Sequence, residues 1–328
     1  MLKQLLLLGS AILLIVTITG CNWSDIIYAE DEFIGTVVSE DGTALPGITV
    51  EINHIDDDYN IVETPEVMTT DSNGQFVIEH ITKMTITPKL DGYIFSPQSI
   101  VRKDNTIFEA DSAAVTFTAH AIDTPCGKGV FEEENVHIHD SEDLARLIGY
   151  TEISGDLVIE DYSKPYDTII SLDALSCLKK IGGSLEIIGN QRLEDITGLS
   201  SLESVGGDML IGDVCYAGCF GNEKLSNIKF SSLVSVGGSL RIWNNIELTS
   251  LGGTFDALES VDLLNIMWCH SLTELGSFNN LTSVSSINVN DNDSLCNDVA
   301  QTWADQVTSH CNNTDSILVT IDNIECAD

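Results

Sequence analysis

Along the second half of the chain, apolar side chains recur in pairs two positions apart. Leu157, Leu185, Met209, Leu240, Leu264 and Ile287 form one column, at intervals of 28, 24, 31, 24 and 23 residues. Ile159, Ile187, Ile211, Ile242, Ile266 and Val289 form the second. Residues two apart on a strand point to the same face, so each pair predicts one short strand with both side chains turned inward. A repeat length in the twenties is that of stacked coils, in which one turn of chain cannot bury its own apolar side and is stable only against its neighbours. Gly-Gly precedes the strand at 182–183, 206–207 and 237–238, and is read as a tight corner with positive φ. Asn190, Asn245 and Asn292 recur after the strand, with Cys269 in the same slot. A buried amide at such a bend can satisfy backbone groups of neighbouring coils as a ladder.

The first half carries a different pattern. Phe33–Val38 reads as a strand, 39–43 as a turn, and Leu45–Ile52 as a strand with Ile48, Val50 and Ile52 alternating. The turn 69–74 leads into a strand over 75–79, and Met84–Leu90 and Ala114–Ala119 are further strands. Short strands separated by turns predict an antiparallel β-sandwich. Residues 123–136, with Pro125, Gly127, Gly129 and three consecutive glutamates, read as a linker. Beyond the last repeat, Asn297–Ser309 is an amphipathic helix with Val299, Trp303 and Val307 on one face, placed to cover the open end of the stack. Ser316–Ile321 reads as one more strand.

Two resemblances sharpen this division. The segment Ser141–Gly149 followed by Thr151–Ile159, together with the repeat, resembles the opening helix and first strand of the receptor L domain, a leucine-rich-repeat-like right-handed β-helix, over about residues 136–311. The insertion Cys215–Asn222, which lengthens one coil to 31 residues, departs from that family's pattern. Gly35, Val37, Gly42, Gly47 and Val50, followed by Asp71-Ser72-Asn73-Gly74-Gln75-Phe76, resemble the carboxypeptidase-regulatory or transthyretin-like β-sandwich over about 32–122. Asp91-Gly92-Tyr93-Ile94-Phe95-Ser96-Pro97 is similar to its bacterial surface versions, and the likeness implies a spacer without catalytic residues. The expected class is mainly β: a sandwich at 32–122, then a right-handed parallel β-helix of the L-domain solenoid kind at 137–328 with short capping helices.

The extreme N-terminus changes where such a protein is placed. A weakly basic start at Lys3 is followed by an apolar run of 14 residues, Leu5–Ile18, too short to span a bilayer and of signal-peptide length. The run ends Ile18-Thr19-Gly20-Cys21, which looks like a bacterial lipobox, with residues 1–20 as the leader, Cys21 as the lipidated residue and 22–31 as a tether. An ordinary secretion signal with an unmodified Cys21 is the alternative. Asn22 after the cysteine fits sorting to the outer membrane or cell surface by resemblance to enterobacterial lipoproteins. Loss of the leader removes Lys3 and no acid, taking the formal charge from −37 to −38. So acidic a chain, with 14 Lys plus Arg, argues against nucleic acid, whose phosphates need basic partners, and against electrostatic binding to anionic lipid. The expected partners are the membrane through the N-terminal lipid and a protein or glycan ligand.

Eight cysteines follow Cys21, and an exported chain is expected to pair them. Cys215 and Cys219 share one glycine-containing insertion. Cys296 and Cys311 bracket the last helix, and Cys126 and Cys177 flank the first coil. Cys269 occupies the ladder slot, where a reduced thiol also fits, which would leave Cys326 unpaired.

No nucleophile elbow, phosphate loop or dinucleotide fingerprint is present, and no cofactor is expected. Asp56-Asp57-Asp58 lacks the spacing and glycine of a calcium loop. His137 and His139 fall on one side of a strand, as a zinc pair needs, but no third ligand is close in sequence, so the pair reads as a solvated strand. Glu160 and Glu186, on adjacent rungs and offset by two positions, would stand roughly 8 Å apart, a separation used by inverting glycosidases. No aromatic subsites flank them. The outward columns hold Ile188, Leu210, Arg241, Trp243 and Met267, an expected apolar strip of the sort that marks interaction sites. Non-catalytic recognition or adhesion through this strip is the leading expectation. A purely structural envelope component and a carbohydrate-active enzyme using Glu160 and Glu186 are the alternatives.

Overall fold

The computed structural model describes residues 33–55, 61–78, 83–102, 114–122, 125–161, 169–213, 221–312 and 317–325. The expected leader, Cys21, the Asp56–Asp58 run, Cys215, Cys219 and Cys326 lie outside them. Among the described residues, no helix is long and apolar enough to cross a membrane.

The first unit has two four-stranded sheets. One is ordered β4 (Gln75–Ile78), β1 (Phe33–Ser39), β8 (Ala114–Ala121), β6 (Tyr93–Ser96). The other is β3 (Glu66–Thr69), β2 (Thr49–His54), β5 (Met84–Lys89), β7 (Ile100–Arg102). Side chains from both sheets share one core, including Phe33, Val50, Ile52, Phe76, Ile86 and Phe117. A methyl group on Gly35 would stand 1.9 Å from the Phe76 ring, so glycine is what lets that ring fill the centre. Two expectations are corrected. The sheets are not wholly antiparallel: β1 and β8 run parallel, because the first and last strands of the unit are neighbours that enter from the same end. The strand expected from Leu45 starts at Thr49, since Pro46 has no N–H to donate and Gly47 takes φ 75°.

The second unit is built from two parallel sheets to which successive turns of chain contribute in order. The larger runs β10 (Asn135–Ile138), β12 (Asp156–Glu160), β14 (Leu185–Ile188), β16 (Met209–Gly212), β18 (Ser239–Trp243), β19 (Leu263–Met267), β20 (Ser286–Asn290), β21 (Leu318–Asp322). The smaller holds β9 (Val130–Phe131), β11 (Glu152–Ile153), β13 (Lys180–Ile181), β15 (Ser204–Val205) and β17 (Ser235–Val236). The pairing reproduces both expected columns without a slip, Leu157↔Leu185↔Met209↔Leu240↔Leu264↔Ile287 and Ile159↔Ile187↔Ile211↔Ile242↔Ile266↔Val289. Every one of these side chains has 0 % exposure, and each such burial is worth about 1.5–3 kcal/mol. At the lower end β9 and the first half of β10 fall in the stretch read as a linker, while the rest of β10 is the strand expected to carry His137; Val136 and Ile138 pair with Leu157 and Ile159 and continue the same columns.

The doubled glycines are needed for a different reason from the one expected. None of those at 182–183, 206–207 or 237–238 has positive φ. Instead the coils touch backbone to backbone there: a Cβ on Gly182, Gly206 or Gly237 would lie 2.1–2.2 Å from the carbonyl oxygen of Ser154, Gly182 or Gly206. Beside this seam runs the amide ladder. The Asn190 amide donates to Ile159 O and to the Asn222 side chain, and Asn222 donates to Ile187 O and to Asn245. Asn245 donates to Ile211 O, and Asn292 to Ile266 O and to Asn323. Cys269 fills its rung as a free thiol directed at Ile242 O, and burial pushes it up to about 12.

Among the described residues, one α-helix lies near each end of the stack. α1 (Ser141–Ala145) is capped by the Asp140 carboxylate accepting from Asp143 N. It packs Leu144 against the first coil, where Ile94 of β6 joins the same core. Gln98 fixes the junction: its Oε1 accepts from Ile170 N and Ser171 N, and its Nε2 donates to Ser171 O. α2 (Asn297–Thr308) buries Ala300, Trp303, Ala304 and Val307; Val299, expected on that face, is 50 % exposed. Trp303 ends a file of rings, Phe230, Phe255 and Phe278, at centroid distances of 5.9, 5.4 and 5.5 Å. The helix is not the terminal cover, because β21 follows it and pairs with β20, leaving Leu318 64 % exposed at the described edge.

Of the expected disulfides, Cys126–Cys177 is present. The expected Cys296–Cys311 staple is not: Cys311 is a buried free thiol whose Sγ faces Leu281 O and Val307 O within the core, whereas Cys296 is bonded elsewhere.

Candidate functional site

The face of the eight-stranded sheet turned away from the core carries the second set of alternating side chains. One column runs His137, Val158, Glu186, Leu210, Arg241, Asn265, Asn288. The other contains Glu160 and Ile188, then Gly212, Trp243, Met267 and Asn290, with His139 following Ile138 on the first rung.

The expected strip is only partly exposed. Ile188 and Leu210 are 9 % and 7 % accessible, a correction to the reading that placed them at the surface. Side chains of one column stand about 4.8 Å apart and shield one another, with Leu210 between Glu186 and Arg241. Trp243, Met267 and Arg241 are half-buried. Arg241 is held by Asp208 at 2.9 Å and by the Ser239 hydroxyl at 3.1 Å. The Ser239 N–H, and then the guanidinium, keep the Asp208 carboxyl below its usual range.

The centre of the face is Trp243 with Trp268, edge to face at 5.7 Å. Trp268 was not singled out in the sequence. It sits in the residue slot just before the ladder position, which takes a left-handed backbone on other rungs: Gly189 (φ 67°), Asn244 (φ 55°) and Asp291 (φ 56°). Gly, Asn and Asp tolerate that conformation; a tryptophan at φ 57° does not do so readily. Around this pair, Trp243 Nε1, Asn265 Oδ1 and Asn290 Oδ1 are buried without a hydrogen-bond partner. Backbone strain and unmet polar atoms of this kind collect where a ligand is held.

A second group lies at the other end of the same face. His139 and Glu160 are neighbours on adjacent rungs, and His137 is two positions back. The Glu160 carboxylate is 3.5 Å from His139 Nδ1 and 3.7 Å from His137 Nδ1. The two imidazoles stack at 5.7 Å. Glu160 therefore faces the histidines, and it sits in the column beside the one that holds Glu186.

Comparison with protein-family models, with curated proteins and with solved structures finds no match.

Proposed function

We propose that the chain is a lipid-anchored protein of the bacterial envelope whose parallel stack, a right-handed β-solenoid of the receptor L domain kind, is a non-catalytic recognition module. The two-sheet unit would hold it away from the membrane. The lipobox-like Ile18-Thr19-Gly20-Cys21 supports export and anchoring, and the in-register columns with their amide ladder support the solenoid reading. The observation that carries recognition is Trp268, strained in a slot that glycine, asparagine and aspartate fill elsewhere, packed on Trp243 beside the unpartnered Asn265 and Asn290 oxygens. Paired aromatics supply a rigid apolar platform, and the Asn265 and Asn290 side chains, sealed in the unliganded sheet, must turn outward for their oxygens to accept from a ligand's hydroxyl or amide groups. A glycan or an envelope protein offers that combination.

An array of bacterial surface glycans and envelope proteins, probed with the purified chain, tests the reading. A saturable hit is expected, and Trp243→Ala should abolish it. A hit indifferent to Trp243→Ala, or none at all, contradicts it. The burial of Ile188 and Leu210 favours the second reading, a structural component with no soluble ligand, and an empty array would support that instead. Cys21→Ser should move the protein from the membrane to the soluble fraction.

A further inference from the structure

We propose that His137, His139 and Glu160 form a binding site for a divalent transition metal ion of the Zn²⁺ type. The site is independent of the recognition surface around Trp243 and does not rest on it.

The three side chains come from the first two rungs of the larger sheet, and pairing puts them together although 21 residues separate His139 from Glu160. Their ligand atoms all lie within 4.8 Å of one another. In a tetrahedral zinc site each ligand atom is about 2.0–2.1 Å from the ion, so two of them stand roughly 3.3 Å apart. The two Nδ1 to Oε1 separations, 3.5 and 3.7 Å, come within a few tenths of an ångström of that value. The backbone beneath is fixed, since Val136, Ile138, Leu157 and Ile159 are buried and hydrogen-bonded in register; ligands on paired strands are held more closely than ligands on loops.

The surroundings suit a cation. Arg146, near this corner, is engaged by Glu133 and Asp143. Asp143 also accepts from His139 N, which fixes the strand end that carries the ligand. Two imidazoles and one carboxylate select zinc, copper or nickel over calcium and magnesium, which prefer oxygen shells. Three protein ligands leave a fourth position for water or a ligand group. The free thiols among the described residues do not compete, because Cys269 and Cys311 are buried and burial raises both.

Titration of the full chain with Zn²⁺ against a chromophoric chelator, in millimolar Ca²⁺ to fill the acidic surface, tests this. One saturable site per chain is expected. His139→Asn and Glu160→Gln should each weaken it by at least about tenfold, whereas His270→Asn, which removes an imidazole paired with Asp293, should leave it intact. Unfolding midpoints of the zinc-free variants check that the fold persists. Added zinc should raise the midpoint of the parent chain and not that of the variants. No saturable uptake, uptake unchanged in both site variants, or equal loss in His270→Asn would each overturn the site and leave His137, His139 and Glu160 as a polar surface cluster.

Discussion

The two faces of the eight-stranded sheet share one backbone and one register, yet they differ in kind. On the inner face an aliphatic side chain returns in both columns at every rung, and across the six repeats from Leu157 to Val289 all of it is sealed from solvent. On the outer face the column that starts at His139 changes at each step: imidazole, carboxylate, isoleucine, glycine, tryptophan, methionine, amide. Identical rungs are what stacking requires, since a coil is stable only when its neighbours offer the same shape. Where burial no longer dictates the side chain, the composition changes from rung to rung, and the strained tryptophan and the histidine–glutamate group are both found there.

Substitutions on the two faces sharpen the contrast, taken from the largest expected effect downward. Gly206→Ala should be the most damaging, above about 3 kcal/mol by denaturant titration, because the added methyl would stand 2.1 Å from Gly182 O and must push adjacent coils apart. Ile242→Ala empties a fully buried rung and should lose about 2–5 kcal/mol. Asn245→Ala leaves Ile211 O and Trp243 O without their donor and should lose about 1–3 kcal/mol. On the outer face, Trp268→Asn should change stability by less than about 1 kcal/mol, as relief of the left-handed backbone offsets loss of the contact with Trp243. Smallest is Asp208→Asn. The Asp208 carboxyl is held below its usual range, so its contribution is complete above about pH 4 and is lost as pH falls through the lowered value. The variant's midpoint should therefore vary less with pH below about 4 than that of the parent chain.

What could be read from the sequence follows the same division. The inner columns were legible because burial imposes one residue class at a fixed spacing. The strand carrying His137 was expected, but its start at Asn135 and its place in the inner columns were hidden by the glutamates and glycines before it, which look like linker until pairing is known. Asn222 escaped notice because the 31-residue coil displaced it from the spacing that reveals Asn190 and Asn245. The doubled glycines were recognised but misexplained, since sequence does not distinguish a positive φ from a close backbone approach. On the outer face, Glu160 could not be joined to His137 and His139 without the register, as they are distant in the chain. Trp268 carried a signal that was overlooked: an aromatic residue where the repeat otherwise places glycine, asparagine or aspartate. Cys311, beside the final helix, looked like a staple only because its burial was not visible.

Ile242 and Trp243 are adjacent in the chain and point to opposite faces, so measuring the denaturant midpoints of Ile242→Ala and Trp243→Ala side by side separates packing from recognition most directly. The midpoint should fall sharply for Ile242→Ala and stay near that of the parent for Trp243→Ala, while the array signal should survive the first substitution in its folded fraction and vanish in the second. Equal destabilisation by both, or an array signal untouched by Trp243→Ala, would contradict the assignment of one face to packing and the other to binding.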